Sequence, residues 1–146
     1  MAKGTVQVNY QKIIQEGDVD VLVAAAQKIG EEAAQSRVTS SQIRGVFASV
    51  RQIQVNWREV KGTDAAAQEG EVRAKESYRK AMLLKPQIRY AAARNRDSLS
   101  PLDDYLVAAL DQIQGGDWNL RRRYFLNFVD FFEAIVAYHK ASGGKN

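Results

Sequence analysis

Thr39-Ser40-Ser41-Gln42-Ile43-Arg44-Gly45-Val46-Phe47-Ala48-Ser49-Val50 opens the pattern that decides the fold. Thr39 and Gln42 have the Thr-x-x-Gln form of a capping box, in which the threonine hydroxyl accepts from the Gln42 amide while the glutamine side chain reaches back. Behind this cap, Ile43, Val46, Phe47, Val50, Ile53, Trp57 and Val60 form an apolar stripe at helical spacing. The spacing predicts one long amphipathic helix reaching to Val60.

Working outward, helices recur on both sides. Asp18 is placed to cap a helix, with Asp20 in its first turn. Val19, Leu22, Val23, Ala26 and Ile29 carry that helix toward Gln35-Ser36. Residues 1–17, bracketed by Gly4 and Gly17, read as a flexible N-terminal arm, irregular or weakly helical. Past Val60, residues 62–70 read as a connection, in which Ala65-Ala66-Ala67 also suit an extension of either neighbouring helix, and residues 71–84 read as a third helix. Lys85-Pro86 is expected to break it, because the residue before proline disfavours helical backbone. Pro86 then starts a short helix over 87–94. Residues 95–100 read as a polar loop. Ser100-Pro101 opens a helix through Leu102, Leu106, Ala109, Leu110 and Ile113, which Gly115-Gly116 ends. A last helix carries Tyr124, Phe125, Phe128, Phe131, Phe132, Ile135, Val136 and Tyr138. Residues 142–146 are expected to be a disordered tail. The fold class is all-α: one compact bundle of five to six helices over residues 18–141.

Composition narrows the function. The 146 residues are 45% hydrophobic and 26% charged, which suits one globular domain and argues against wholesale disorder. Cysteine is absent, which excludes disulfides, thiolate metal sites and thiol nucleophiles. A single histidine, His139, excludes a multi-histidine metal site within one chain. No export signal is evident, and the longest apolar run, Val21 to Ala26, is far short of the ~20 residues of a membrane span. The cytoplasm is therefore the default compartment. Asp97, Asp103 and Asp104 are the acids a metal-dependent nuclease would use, but Asp103 and Asp104 fall in a helix first turn, where acids favour the dipole. His139 and the aromatic stripe around it read as core. Gly115-Gly116 lacks the Lys-Ser/Thr of a phosphate loop. The reading is no enzyme, no catalytic residue, no cofactor and no metal.

Charge is unevenly spread. The net charge is +4, yet Arg73 to Arg96 holds eight bases against one acid, Glu76. That segment is net +7 on a body of net −3. Lys75 and Arg79 are four apart, as are Lys85 and Arg89 across the proline. Arg44, Arg51 and Arg58 are seven apart and form a ladder beside the apolar stripe of their helix. Guanidinium groups bind phosphate bidentately, so such a ladder suits a phosphate backbone. It equally suits a solvated or ion-paired face.

Three strings carry a resemblance: Thr39 to Arg44, then Leu83-Leu84-Lys85-Pro86-Gln87-Ile88-Arg89-Tyr90-Ala91-Ala92-Ala93-Arg94, then Phe128 to Lys140. Together they resemble the small subunit of the type III-A CRISPR effector, the Csm complex, over about Asp18 to Lys140. The resemblance implies an all-helical, non-catalytic protein that stacks in several copies. The copies lie beside the backbone subunits that hold the CRISPR RNA, lining the channel where target RNA pairs. Guide pairing supplies the sequence specificity, so such a subunit needs only phosphate contacts and shape. The implied partners are other Csm subunits, copies of itself, CRISPR RNA and target RNA. The candidate RNA-contacting residues are Arg44, Arg51, Lys85, Arg89, Arg94 and Arg96. Arg94 has a second reading, in which it anchors a buried carboxylate. The competing hypothesis is a structural spacer whose basic patch binds acidic surfaces of neighbouring subunits.

Overall fold

The computed structural model describes residues 4–94 and 98–146. Six helices follow in order: α1 (Tyr10–Ile14), α2 (Val19–Gln35), α3 (Ser40–Asn56), α4 (Ala65–Ala93), α5 (Leu102–Leu110) and α6 (Trp118–Ala141). No strand occurs among the described residues. The fold is an all-α bundle organised around α6, which touches every other helix and packs most extensively on α2. The reason is compositional. Phe125, Phe128, Phe131, Phe132 and Ile135 are each fully buried, so α6 presents apolar surface to several neighbours at once.

Local chemistry sets the helix ends. Asp18 caps α2 by accepting from the Val21 amide at 3.1 Å. The capping box of α3 is complete: Thr39 Oγ1 accepts from the Gln42 amide, and Gln42 Oε1 accepts from the Thr39 amide at 2.7 Å. Helix α3 stops at Asn56, short of Val60, because α6 holds the following backbone. Trp57 is buried against Phe125, with ring centroids 5.4 Å apart. Its carbonyl accepts from Arg122 Nε at 2.8 Å. Asn119 satisfies both backbone groups of Val60, accepting from its N–H at 2.7 Å and donating to its carbonyl at 3.1 Å.

Three other sequence expectations change. Helix α4 runs unbroken through Pro86. Ala81, Leu84, Ile88 and Ala92 are all buried and keep helical spacing across the proline, so core packing overrides the local preference. Pro86 itself is exposed, and its missing N–H leaves the Met82 carbonyl without its usual helical partner.

The segment read as an arm contains α1, and its Ile13 and Ile14 are fully buried. Tyr105 of α5 donates its hydroxyl to Glu32 of α2 at 2.5 Å and accepts from the Val6 amide at 2.9 Å. Glu32 also accepts from the Thr5 amide and hydroxyl. Burial pushes Glu32 up, but the hydrogen bonds from Thr5 and Tyr105 outweigh it and hold the carboxyl below its ordinary value. Tyr105 is raised well above the usual phenol, first by burial and then by its bond to Glu32.

The tail also folds back. Gly143 takes a positive φ of 83°, its N–H donates to the Lys140 carbonyl, and the Gly144 N–H donates to the His139 carbonyl, closing α6 in the Schellman pattern. The Lys145 carbonyl then accepts from the Ser40 amide at 2.6 Å, satisfying an orphan donor at the start of α3. His139 lies buried beneath, with Nε2 2.9 Å from the Val38 carbonyl.

Candidate nucleic-acid interface

The basic segment lies along α4, and packing divides its charges by direction. On the flank facing α5, Lys85 Nζ meets Asp111 at 2.6 Å. Arg89 Nη1 donates to Asp103 at 2.7 Å and to Asp104 at 2.6 Å. Asp103 is almost wholly buried, so its charge needs this partner. Arg89 is held above the ordinary guanidinium value by its bonds to Asp104 and Asp103. The carboxylate anchor considered for Arg94 is thus Arg89, one and a half turns earlier. Arg73 pairs with Glu69 and Arg79 with Glu76, both as exposed contacts within one helix.

The flank facing α3 is different. The two helices run antiparallel, and two depressions lie in line along their seam. The first, of about 430 Å³, is lined by Thr39, Ser41, Gln42, Gly45, Ala91 and Arg94, among others. The second, of about 250 Å³, is lined by Ser49, Gln52, Lys80 and Gln87 with apolar neighbours. Among the described residues no carboxylate lines either depression. Among the described residues neither Lys80 nor Arg94 has an ion-pair partner. The seam is open at Gly45, where a Cβ would meet nothing within 4 Å. Gln42 commits its Oε1 to the cap and leaves its Nε2 without a partner. From Ser41 to Gln52 the seam runs about 17 Å at 1.5 Å per residue. It offers hydroxyl and amide donors with a cation toward each end, which suits an extended anionic backbone and carries no base-reading geometry.

The remaining candidates lie elsewhere. Arg44 and Arg51 are exposed on α3. Arg51 covers the Phe47 ring at 5.5 Å and donates to Gln54 at 3.0 Å; Phe47 in turn packs on Phe132 of α6 at 5.1 Å. This strip therefore leans toward α6, away from the seam. Arg58 lies past the end of α3, so the three-rung ladder keeps two rungs. Arg96 lies outside the described residues. Of the five candidates among the described residues, the seam takes only Arg94. The sequence reading passed over Lys80 and the polar residues opposite it. A signal for them was present: Ser41, Gly45, Ser49 and Gln52 recur at spacings of four, four and three beside the apolar stripe.

A family model described as Csm2 Type III-A matches residues 16–145. The chain belongs to this family. The match covers the cap of α3, the whole of α4 and the aromatic helix α6, where the three resembling strings fall. No curated protein and no solved structure matches the chain. Csm2 proteins are non-catalytic. In this Csm2 chain, the described residues include no group of three or more His, Asp or Glu side chains placed to hold a metal ion. No described helix is long and apolar enough to cross a membrane.

Proposed function

We propose that this chain is the RNA-contacting small subunit of a cytoplasmic type III-A CRISPR surveillance complex acting in antiviral defence. It stacks in several copies beside the subunits that hold the CRISPR RNA. Its contribution is a basic, sequence-indifferent surface against the phosphate backbone of target RNA or CRISPR RNA. The observation that carries this reading is the α3–α4 seam, which among the described residues is free of carboxylates and leaves Lys80 and Arg94 without an ion pair. Arg44 and Arg51 extend the positive surface on the outer side of α3. Lys85 and Arg89 serve the reading indirectly, by holding α5 to α4.

The test is binding of the purified protein to two labelled single-stranded RNAs of unrelated sequence across a salt series. Equal affinities that fall steeply with salt are expected, with a slope of about −0.7 per phosphate contact. A tenfold preference for one sequence, or a salt-independent affinity, overturns the reading. Repeating the measurement in the assembled complex with K80A/R94A separates it from the spacer alternative. RNA retention is expected to fall while subunit composition stays the same, whereas a spacer would lose assembly.

A further inference from the structure

Helix α4 carries a second surface, which meets the seam at Leu83. A groove of about 700 Å³ is lined by Val72, Tyr78, Met82, Leu83 and Trp118, with Lys75, Glu76 and Arg79 among its walls. Val72 is 69% exposed and Leu83 41%, large apolar side chains that no helix of this chain covers. The stretches outside the described residues are three residues each and attach elsewhere. One precedes Gly4, which lies against Tyr105 of α5, and the other follows Arg94, about 16 Å along α4 from Leu83.

The lining selects a class of occupant. Val72, Met82 and Leu83 give a nucleic acid nothing to bond. The aromatic rings are poor base platforms, because the Arg121 guanidinium already lies over both Tyr78 and Trp118, at 4.9 and 4.8 Å. Tyr78 also abuts Trp118, with centroids 5.8 Å apart, which fixes the end of the groove. From Val72 to Leu83 the groove spans about 16 Å, three turns of a helix. Its charges are Lys75, which has no ion pair among the described residues, Arg79, which has one exposed pair at 3.5 Å to Glu76, and Arg121 over the rings at the end. Three cations against one carboxylate call for acids on the partner. Anchors of this type, aromatic and arginine beside aliphatic surface, dominate binding at helix-in-groove contacts.

We propose that this groove docks an amphipathic helix of a protein partner, with apolar side chains at i, i+4 and i+7 in the groove and carboxylates flanking them against Lys75 and Arg79. Leu83 borders both the groove and the second seam depression, so the two surfaces adjoin along α4, but the groove's occupant is argued without the RNA reading.

The test uses the full chain and two synthetic amphipathic helical peptides with the same leucine spacing, one flanked by glutamates and one by lysines. Calorimetric titration is expected to show the glutamate peptide binding at least about tenfold tighter. V72S/L83S, both at exposed positions, is expected to weaken that binding at least about tenfold with its thermal midpoint unchanged. K75E/R79E is expected to reverse the preference between the peptides, which keeps the test decisive if V72S/L83S folds poorly. Equal affinity for both peptides, or no reversal in K75E/R79E, overturns the proposal. So does a loss of RNA affinity in V72S alone, at a residue that lines the groove and not the seam, matching its loss of peptide affinity, which would make the groove a nucleic-acid site. Self-association that V72S/L83S abolishes also overturns it, by assigning the groove to a second copy.

Discussion

Two flanks of α4 draw on the same run of basic sequence and put it to opposite uses. Toward α5, Lys85 and Arg89 are consumed by Asp111, Asp103 and Asp104, and their charge fastens one helix to another. Toward α3, Lys80 and Arg94 meet hydroxyls, amides and a glycine, and their charge stays available. A count of bases over a window therefore measures potential, and the partner helix decides how much of it survives folding.

The comparison can be broken most forcefully at Arg89. R89A strands the carboxylate of Asp103, which is almost fully buried. A loss of about 2–3 kcal/mol is expected, below the ~3–5 of a wholly buried pair because Arg89 is half-exposed. That corresponds to a drop of about 6–10 °C in thermal midpoint, with RNA affinity unchanged while the protein is folded. If R89A instead melts normally and loses RNA, the α5 flank is the RNA surface and the contrast collapses. Next, K80A/R94A is expected to leave the melting midpoint within about 1 °C and to lower the RNA salt slope by about 1.4, two single-strand contacts at ~0.7 each. R44A/R51A sharpens the assignment: a larger RNA loss there than in K80A/R94A would move the interface to the outer strip of α3. K85A is a smaller test. Its ion pair is partly exposed, so a cost of about 1 kcal/mol or less is expected, read by denaturant titration.

The smallest expected effect is one of pH, in a region where charge is again structural. Glu32 is depressed in the folded state, so its contribution is present above the ordinary glutamate value of ~4.3 and lost as pH falls through the folded value. The Thr5 and Val6 amide resonances are expected to leave their native positions on acid titration before those of α6. Tyr105 is raised, and Tyr10 is pushed up to about 12 by burial and then by Asp104, so their contribution is lost as pH climbs above ~10. If the Thr5 and Val6 resonances persist until the core melts, the carboxyl of Glu32 is not what holds that segment.

Sequence reading found what periodicity and caps encode. Asp18, the Thr39–Gln42 box, the aromatic α6 and the first-turn acids of α5 all stand where their chemistry placed them. It missed what depends on contact at a distance. Pro86 reads as a stop until Leu84 and Ile88 are seen buried on either side of it. The segment before Gly17 reads as loose because Ile13 and Ile14 are too few to show a period, and their burial comes from α2, α5 and α6. The tail reads as frayed because its polar, glycine-rich residues hide an acceptor that only the start of α3 can use. The direction of the candidate bases was hidden for the same reason. Spacing along a helix shows which bases share a direction, and says nothing of whether an acid waits there.

The central position of α6 has a consequence for synthesis. Helix α2 leaves the ribosome about 80 residues before α6 begins, and most of its apolar face has no other partner. At roughly 5–20 residues per second that is an interval of ~4–16 s. Throughout it, Leu22, Ala26 and Ile29 are without their eventual cover, so the nascent chain is a client for holdase chaperones until the aromatic helix emerges.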